Sequence, residues 1–211
     1  DEWSLSQISQ YEEDSEEYKK KYNEYLLELW RNKAINDTYE PGSTFKVVTA
    51  SMGFEENVVT PTDMFTCSGS YAVDLGNGHT QNVSCHRTTG HGTVTFARGL
   101  QQSCNPTMMQ LAKRIGLPSF YKYFQAFGYT EKTGIDLPGE SKGIYSKQAD
   151  MHNLELAIYS FGQTFKTTAI QQITAISAVA NGGTLVTPHV VSKLVDDDGN
   201  VIKSFEAETR R

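Results

Sequence analysis

Tyr39-Glu40-Pro41-Gly42-Ser43-Thr44-Phe45-Lys46 is the stretch that says most about the fold of this 211-residue chain. Its Pro-Gly pair predicts a turn, and the residues that follow predict the start of a helix. Ser43 and Lys46 are three residues apart, so they share one helix face, with the hydroxyl near the positive end of the helix dipole. A lysine whose pKa is lowered by burial or by neighbouring cations can act as the base for a serine. The stretch therefore predicts a nucleophilic serine with a lysine beside it.

A second polar element, Ser103-Cys104-Asn105, follows sixty residues after Ser43, at a break between two predicted helices. A hydroxyl and an amide at such a break can both face a cleft. Ordinary capping also explains the element, with Asn105 as N-cap and Pro106 at the first helical position. The two roles are compatible if Ser103 relays protons while Asn105 holds a substrate amide.

Together these motifs resemble those of the penicillin-binding transpeptidases, and in particular of class B penicillin-binding proteins. The family's motif set is Ser-x-x-Lys, Ser-x-Asn and Lys-Thr-Gly. The resemblance covers about residues 30–191 and includes several further segments: Trp30-Arg31-Asn32-Lys33-Ala34, Gly90-His91-Gly92-Thr93, Thr133-Gly134-Ile135-Asp136-Leu137-Pro138-Gly139-Glu140, Ser160-Phe161-Gly162-Gln163, Gln171-Gln172 and Ala180-Asn181-Gly182-Gly183.

The resemblance implies a parent protein that crosslinks peptidoglycan by acyl transfer. Ser43 would attack the peptide bond between the terminal D-alanines of a stem peptide, Lys46 would take the serine proton, and Ser103 would pass protons towards the leaving amine. Asn105 would bind the substrate backbone, and the backbone N–H of Ser43 would belong to the oxyanion hole. The implied ligands are stem peptides and β-lactam antibiotics, with no cofactor and no metal ligand. The parent would be anchored at the extracytoplasmic face of the bacterial membrane, among cell-wall synthesis partners.

Lookalikes of the family motifs occur elsewhere in the chain. Ser119 and Lys122 repeat Ser-x-x-Lys within an aromatic helix and are interpreted as structural. Lys132-Thr133-Gly134 matches the third motif literally, but Pro138 would end any strand that it began. Lys166-Thr167-Thr168 stands at the entry to a predicted helix. The third motif is therefore expected beyond residue 211, together with much of the sheet that carries it.

The expected fold class is mainly α with small β elements: the helical part of an α/β penicillin-binding/β-lactamase-like transpeptidase domain, with the central sheet largely missing. Residues 1–211 are expected to be one partial transpeptidase domain, with an acidic helix and lead-in at 1–40, a motif-bearing core at 41–191 and a β-hairpin at 190–205. Further expectations are a loop with small hairpins at 57–92 and helices at 93–102, 106–115, 119–127 and 168–180.

The charge of the chain is concentrated near its start. Residues 1–40 hold eleven acidic and five basic side chains, which accounts for the whole net charge of −6. Such a balance excludes a basic nucleic-acid binder, and no apolar run reaches the ~18 residues of a membrane span. Apolar residues at helical spacing between Tyr11 and Ala34 predict an amphipathic helix packed on a core, with the charges on its solvated face. A partner-binding helix is the alternative.

Three cysteines, Cys67, Cys85 and Cys104, are an odd number at irregular spacing and cannot form a full disulfide framework. Cys67 and Cys85 share one long loop with three histidines, His79, His86 and His91. Free thiols, a structural zinc site and a Cys67–Cys85 disulfide all fit this loop, the disulfide slightly better than zinc in an oxidising compartment. Cys104 is expected to be a buried packing group, because no adjacent histidine activates it.

Two other functions are compatible with the motifs. A serine β-lactamase or penicillin-sensor domain shares them, although Gly90-His91-Gly92 and residues 136–140 favour class B proteins. A noncatalytic cell-envelope module would use the same residues only as helix caps and core. Fast hydrolysis of a chromogenic cephalosporin by the full-length parent would support the first, and an unreactive Ser43 in that parent would support the second.

We predict that the isolated chain forms little covalent penicilloyl adduct, because the strand expected to bind the carboxylate of penicillin lies outside residues 1–211. Intact-mass spectrometry after incubation with labelled penicillin measures this adduct. Stoichiometric acylation of Ser43 would contradict the expectation.

Overall fold

Helices make up most of the regular structure. The computed structural model describes residues 6, 8–11 and 15–211 of the chain. Within these ranges the helices are α1 (Glu16–Trp30), α2 (Lys33–Asn36), α3 (Lys46–Glu55), α4 (Phe96–Gln101), α5 (Asn105–Ile115), α6 (Leu117–Ala126), α7 (Asn153–Tyr159) and α8 (Ala169–Ala180). Short 3-10 turns lie at Gly42–Phe45 and Gln148–Asp150.

The strands are short and pair only in twos within the described ranges. They are β1 (Thr38–Tyr39), β2 (Met64–Cys67), β3 (Ser70–Gly76), β4 (His79–Ser84), β5 (Gly92–Thr95), β6 (Thr167–Thr168), β7 (Val186–Thr187), β8 (Lys193–Val195), β9 (Val201–Ser204) and β10 (Glu208–Thr209). The antiparallel pairs are β1–β6, β2–β5, β3–β4, β7–β10 and β8–β9. The predicted fold class, mainly α with small β elements, is confirmed.

The acidic helix α1 contributes little to the core. Ser15 caps it by accepting a hydrogen bond from the Tyr18 N–H. None of its residues is buried, and Trp30 is 73% exposed. The prediction that this helix packs on a core is therefore wrong, because its aromatic residues contact one another along the helix, as in the stacked rings of Tyr18 and Tyr22. Residues 12–14 of the predicted helix lie outside the described ranges. No helix of the described part combines the length and apolar character that a membrane crossing requires.

The core surrounds Phe45, the last residue of the 3-10 turn that carries Ser43. Its side chain is fully buried. Four aromatic rings lie 5.0–6.3 Å from its ring, centroid to centroid: those of Phe120, Phe124, Tyr129 and Phe165. Three of these contacts are edge-to-face and the fourth is tilted, and aromatic quadrupoles favour the edge-to-face arrangement. The turn is therefore fixed to the core directly beside the candidate nucleophile.

Two glycines bring α3, α4 and α5 close together. A Cβ added to Gly53 of α3 would lie 2.7 Å from Cδ1 of Leu111 in α5. A Cβ added to Gly99 of α4 would lie 2.7 Å from Oγ1 of Thr107 in α5. Neither side chain has room to retreat in a packed interior, so larger residues would push the helices apart. This packing places the N-terminus of α3 beside the N-terminus of α5.

Several element boundaries differ from the sequence predictions. The helix expected at 93–102 begins at Phe96, because residues 92–95 form β5. The sequence did not predict α7. Thr167 and Thr168 form the strand β6 before Thr168 caps α8, and both side chains are fully buried against β1. Their hydroxyls therefore face the interior, where a substrate carboxylate cannot reach them.

We predict that Phe45→Ala lowers the free energy of unfolding by ~3–5 kcal/mol, as expected for a large cavity in a packed core. Phe54→Ala is the matched control, because this phenylalanine is 42% exposed and should cost less than half as much. Urea unfolding followed by intrinsic fluorescence measures both. Equal losses would contradict the central position of Phe45.

Candidate active site

Ser43 and Lys46 lie at the junction between the 3-10 turn and α3. Ser43 is in the turn and is exposed, whereas Lys46 is the first residue of α3 and is only 1% exposed. The sequence predicted that both side chains share one face at a helix start. The structure places the serine one turn ahead of the α-helix proper, so the hydroxyl faces solvent while the amine points inward.

The ammonium group of Lys46 is held by the segment between α4 and α5. Its Nζ donates to the backbone oxygen of Ser103 at 2.6 Å, to Ser103 Oγ at 2.8 Å and to Asn105 Oδ1 at 2.7 Å. A lysine ammonium has three N–H donors, and each of the three finds an acceptor here. The two motifs that the sequence singled out thus meet in one hydrogen-bond network.

Ser43 reaches this network through Ser103. The hydroxyl of Ser103 donates to Ser43 Oγ at 2.9 Å. The sequence predicted that Lys46 takes the serine proton itself, but the hydrogen bonds run from Lys46 to Ser103 and from Ser103 to Ser43. Ser103 has a positive φ of 52°, a conformation that non-glycine residues rarely adopt and that orients both its carbonyl and its hydroxyl towards Lys46.

Asn105 is not the N-cap that simple capping predicted. Cys104 precedes the helix, Asn105 is its first residue and Pro106 is its second. The amide oxygen of Asn105 accepts from Lys46, so it does not cap the backbone. Its NH₂ group is the part left to bind a carbonyl group of a substrate.

Burial lowers the pKa of Lys46 to about 8, and the nearby cysteines Cys104 and Cys85 only partly offset this shift. An amine with such a pKa is partly neutral near physiological pH, which is the range in which a general base works best. The sequence analysis required a lysine whose pKa is lowered, and the structure shows the burial that lowers the pKa of Lys46.

A cleft of ≈ 360 Å³ opens in front of Ser43 and is lined by Gly42, Ser43, His86, Ser103, Asn105, Phe161 and Gln163. One wall is the loop around Gly162, whose carbonyl accepts from the Gly42 N–H at 2.8 Å. A Cβ on Gly162 would lie 2.1 Å from Gly42 O, so only glycine permits this approach. Sequence reasoning assigned no role to His86 or Gln163 in this cleft, although it had singled out the segment Ser160–Gln163 as family-like.

The lookalike motifs lie elsewhere and have structural partners. Ser119 Oγ donates to the carboxylate of Glu56 at 3.0 Å, so its lysine three residues on is not its partner. The N–H and hydroxyl of Thr133 both donate to the carboxylate of Glu140. Neither lookalike lines the cleft.

The family assignment rests on the whole chain as well as on this geometry. Residues 4–210 match the model of the "Penicillin binding protein transpeptidase domain" family. The chain belongs to this family. The resemblance inferred from the motifs is thereby confirmed.

Named relatives of this family are similar over most of the chain. Stage V sporulation protein D of Bacillus subtilis is 40% identical over 167 residues, which is 79% of this chain and 25% of that protein. Peptidoglycan D,D-transpeptidase MrdA of Acinetobacter baumannii is 30% identical over 169 residues, which is 76% of this chain and 25% of that protein. The chain thus spans about a quarter of the length of these curated relatives.

A solved structure shows the same fold. Penicillin binding protein 3 of Mycobacterium tuberculosis, complexed with aztreonam, superposes with a TM-score of 0.73 at 28% identity. The match covers 84% of this chain and 39% of that one. The penicillin-binding transpeptidase fold of the described helices is therefore shared with a protein that binds a β-lactam.

We predict that Lys46 makes the free energy of unfolding rise between about pH 8 and pH 10.5. Within this window the unfolded lysine, with its ordinary pKa of 10.5, is protonated while the folded lysine has lost its proton. The unfolded state then binds more protons, and stability rises with pH. Below the window the cost of burying the charge is present in full.

Lys46→Met keeps a similar side-chain volume and removes the titrating group. The pH profile of its unfolding free energy should lack this rise, which urea unfolding at a series of pH values measures. Parallel profiles for the wild type and the variant would contradict the lowered pKa of Lys46.

Proposed function

We propose that the protein containing this chain is a peptidoglycan D,D-transpeptidase with Ser43 as its nucleophile. The observation that carries the proposal is the hydrogen-bonded series from Lys46 through Ser103 to Ser43, in a chain of the penicillin-binding family. One of the relatives reported above is named a peptidoglycan D,D-transpeptidase, and the other is named a stage V sporulation protein. The substrate class is the stem peptide that ends in two D-alanines.

The network supports a proton path for acylation. Neutral Lys46 accepts the hydroxyl proton of Ser103 as Ser103 accepts that of Ser43, and Ser43 Oγ forms a bond with the carbonyl carbon of the substrate. When the carbon–nitrogen bond breaks, the proton returns from Lys46 through Ser103 to the leaving D-alanine amine. The amine of a second stem peptide then attacks the ester carbon, gives up one proton through Ser103 and Lys46 to Ser43 Oγ, and the carbon–Oγ bond breaks to release Ser43. General acid–base assistance of this kind contributes roughly 10²–10⁴-fold to a rate.

The remaining roles follow from the donors that face the cleft. The NH₂ group of Asn105 binds a backbone carbonyl of the substrate, because its oxygen is occupied by Lys46. The backbone N–H of Ser43 contributes one donor of the oxyanion hole. β-Lactam antibiotics are proposed to acylate the same serine.

The wider setting of the protein is part of the same proposal. We place residues 1–211 in one partial transpeptidase domain, with a lead-in at 1–40, the motif-bearing core at 41–191 and a hairpin at 190–205. The parent works at the extracytoplasmic face of the bacterial membrane, with a membrane anchor and with partners in cell-wall synthesis. The name of the Acinetobacter baumannii relative, a peptidoglycan D,D-transpeptidase, supports the cell-wall part of this setting.

A noncatalytic role explains the site less well. Helix capping and core packing do not require an ammonium group at 1% exposure, since burying a charge costs stability even when it is hydrogen-bonded. Leucine or methionine would fill the same space at lower cost. A β-lactamase would use the same serine and lysine, but the relatives reported above are named for cell-wall synthesis or sporulation rather than for resistance.

We predict that Ser43→Ala abolishes covalent labelling of the full-length protein by a fluorescent penicillin. The matched control is Ser119→Ala, which changes the serine of the other Ser-x-x-Lys pair and should leave labelling unchanged because Ser119 binds Glu56 instead of a cleft lysine. Gel fluorescence and intact-mass spectrometry measure the adduct.

A Ser43→Ala protein that still forms a stoichiometric adduct would refute the assignment of the nucleophile. Rapid deacylation of the wild type, seen as cephalosporin turnover, would instead favour a β-lactamase. Thermal unfolding of both variants checks that each remains folded.

A further inference from the structure

Three cysteines and one histidine converge behind the cleft. Sγ of Cys67, Cys85 and Cys104 and a ring nitrogen of His91 all lie within 4.8 Å of one another. The three cysteines are free and at most 3% exposed, and His91 is half-buried. They come from four separate places in the chain: the end of β2, the residue after β4, the loop before β5 and the residue before α5.

The distances between these atoms suit a cation with four ligands in tetrahedral coordination. Zinc at ~2.3 Å from sulfur and ~2.0 Å from nitrogen sets its ligand atoms roughly 3.5–3.8 Å apart. Cys85 Sγ and His91 Nδ1 are 3.6 Å apart. Three cysteines with one histidine form one of the standard ligand sets of structural zinc sites, and all four positions are filled by the protein, as in a closed site.

We propose that Cys67, Cys85, His91 and Cys104 bind one structural zinc ion. Binding needs no oxidant: the thiols release their protons to solvent as the zinc–sulfur bonds form. The sequence had left zinc, a disulfide and free thiols open for Cys67 and Cys85, and had treated Cys104 as packing. A disulfide would use only two of the four converging groups, whereas zinc uses all of them.

Two glycines let the backbone segments around the cluster approach one another closely. A Cβ on Gly90 would lie 2.3 Å from the carbonyl oxygen of Cys67, and a Cβ on Gly69 would lie 1.9 Å from that of Thr88. The Cys85 N–H donates to the carbonyl of Gly69 at 2.8 Å. The ligand-bearing loops therefore touch through their backbones, which brings the sulfur atoms together.

Hydrogen-bond donors already face the sulfur atoms. Burial opposes ionisation of Cys67, but backbone N–H groups of Gly69 and His91 and the neighbouring thiols hydrogen-bond to its sulfur and hold its pKa below the ordinary value. Burial raises the pKa of the Cys104 thiol to about 12. A coordinating metal deprotonates a thiol outright.

The zinc site would stabilise the neighbouring active-site segment. Cys104 stands between Ser103 and Asn105, and both of these residues accept hydrogen bonds from Lys46. Fixing the Cys104 sulfur would hold the start of α5 against the β2–β5 and β3–β4 pairs. The inference concerns metal binding alone and does not depend on the reaction proposed above.

The test measures zinc in the full 211-residue chain, purified under reducing conditions with zinc supplied and then freed of unbound metal. Elemental analysis should find one zinc ion per chain. His91→Ala should lower the affinity for zinc by more than the ~10–100-fold that loss of an outer hydrogen-bond partner costs. His86→Ala is the matched control: its ring lies 5.2 Å from that of His91 and its Nδ1 lies 3.8 Å from Cys85 Sγ, but His86 is exposed and is not one of the four converging groups, so its loss should cost no more than that of an outer partner.

Three further measurements guard against a variant that merely misfolds. His91→Cys should retain zinc, because four cysteines also form a closed zinc site. Cobalt added to the metal-free wild type should give thiolate-to-cobalt charge-transfer bands and the intense visible bands of a tetrahedral ion. Chelation should lower the unfolding temperature of the wild type.

Three outcomes would overturn the proposal. The first is a wild type that binds no more zinc than His91→Ala. The second is loss of zinc in His86→Ala but not in His91→Ala. The third is a disulfide between two of the cysteines that, after reduction, is replaced by free thiols without uptake of zinc or cobalt.

Discussion

A buried ammonium group constrains this structure more than any other single group. Lys46 is 1% exposed, and each of its three N–H donors is paired with an acceptor on Ser103 or Asn105. Removing any acceptor would leave a buried charge short of a partner, which costs several kcal/mol. The segment between α4 and α5 is therefore held in place beside Lys46. Ser103 keeps a positive-φ backbone conformation there that costs about 1–3 kcal/mol.

The rest of the described fold holds this arrangement from both sides. Phe45, packed among four aromatic rings, fixes the turn before α3, and Gly53 and Gly99 allow α3 and α4 to approach α5. Ser43 remains exposed on the outer side of the turn. A buried amine next to an accessible hydroxyl suits the acyl transfer proposed above, because the geometry is set before a substrate arrives. The lowered pKa of Lys46 is a consequence of the same burial.

Sequence reasoning predicted local features well and packing less well. The helices near residues 106–115 and 168–180, the hairpin-rich region and the two motifs depend on neighbouring residues, whose periodicity and turn chemistry can be read directly. The packing of α1 was wrong, because the period of apolar residues indicates a face but not whether anything covers it. The N-cap role of Asn105 was wrong as well, because a partner 59 residues away takes its side-chain oxygen.

The sequence by itself determined which family the chain resembles and which residues are candidates for its chemistry, because the Ser43–Lys46 spacing and the Ser-x-Asn element can be read from the order of residues alone. Only the tertiary structure decided how their side chains are arranged. It put Ser103 between the lysine and the serine, buried the amine enough to shift its pKa, and brought Cys104 to the other cysteines. Burial and long-range contact are properties of the packed chain, and no local pattern specifies them.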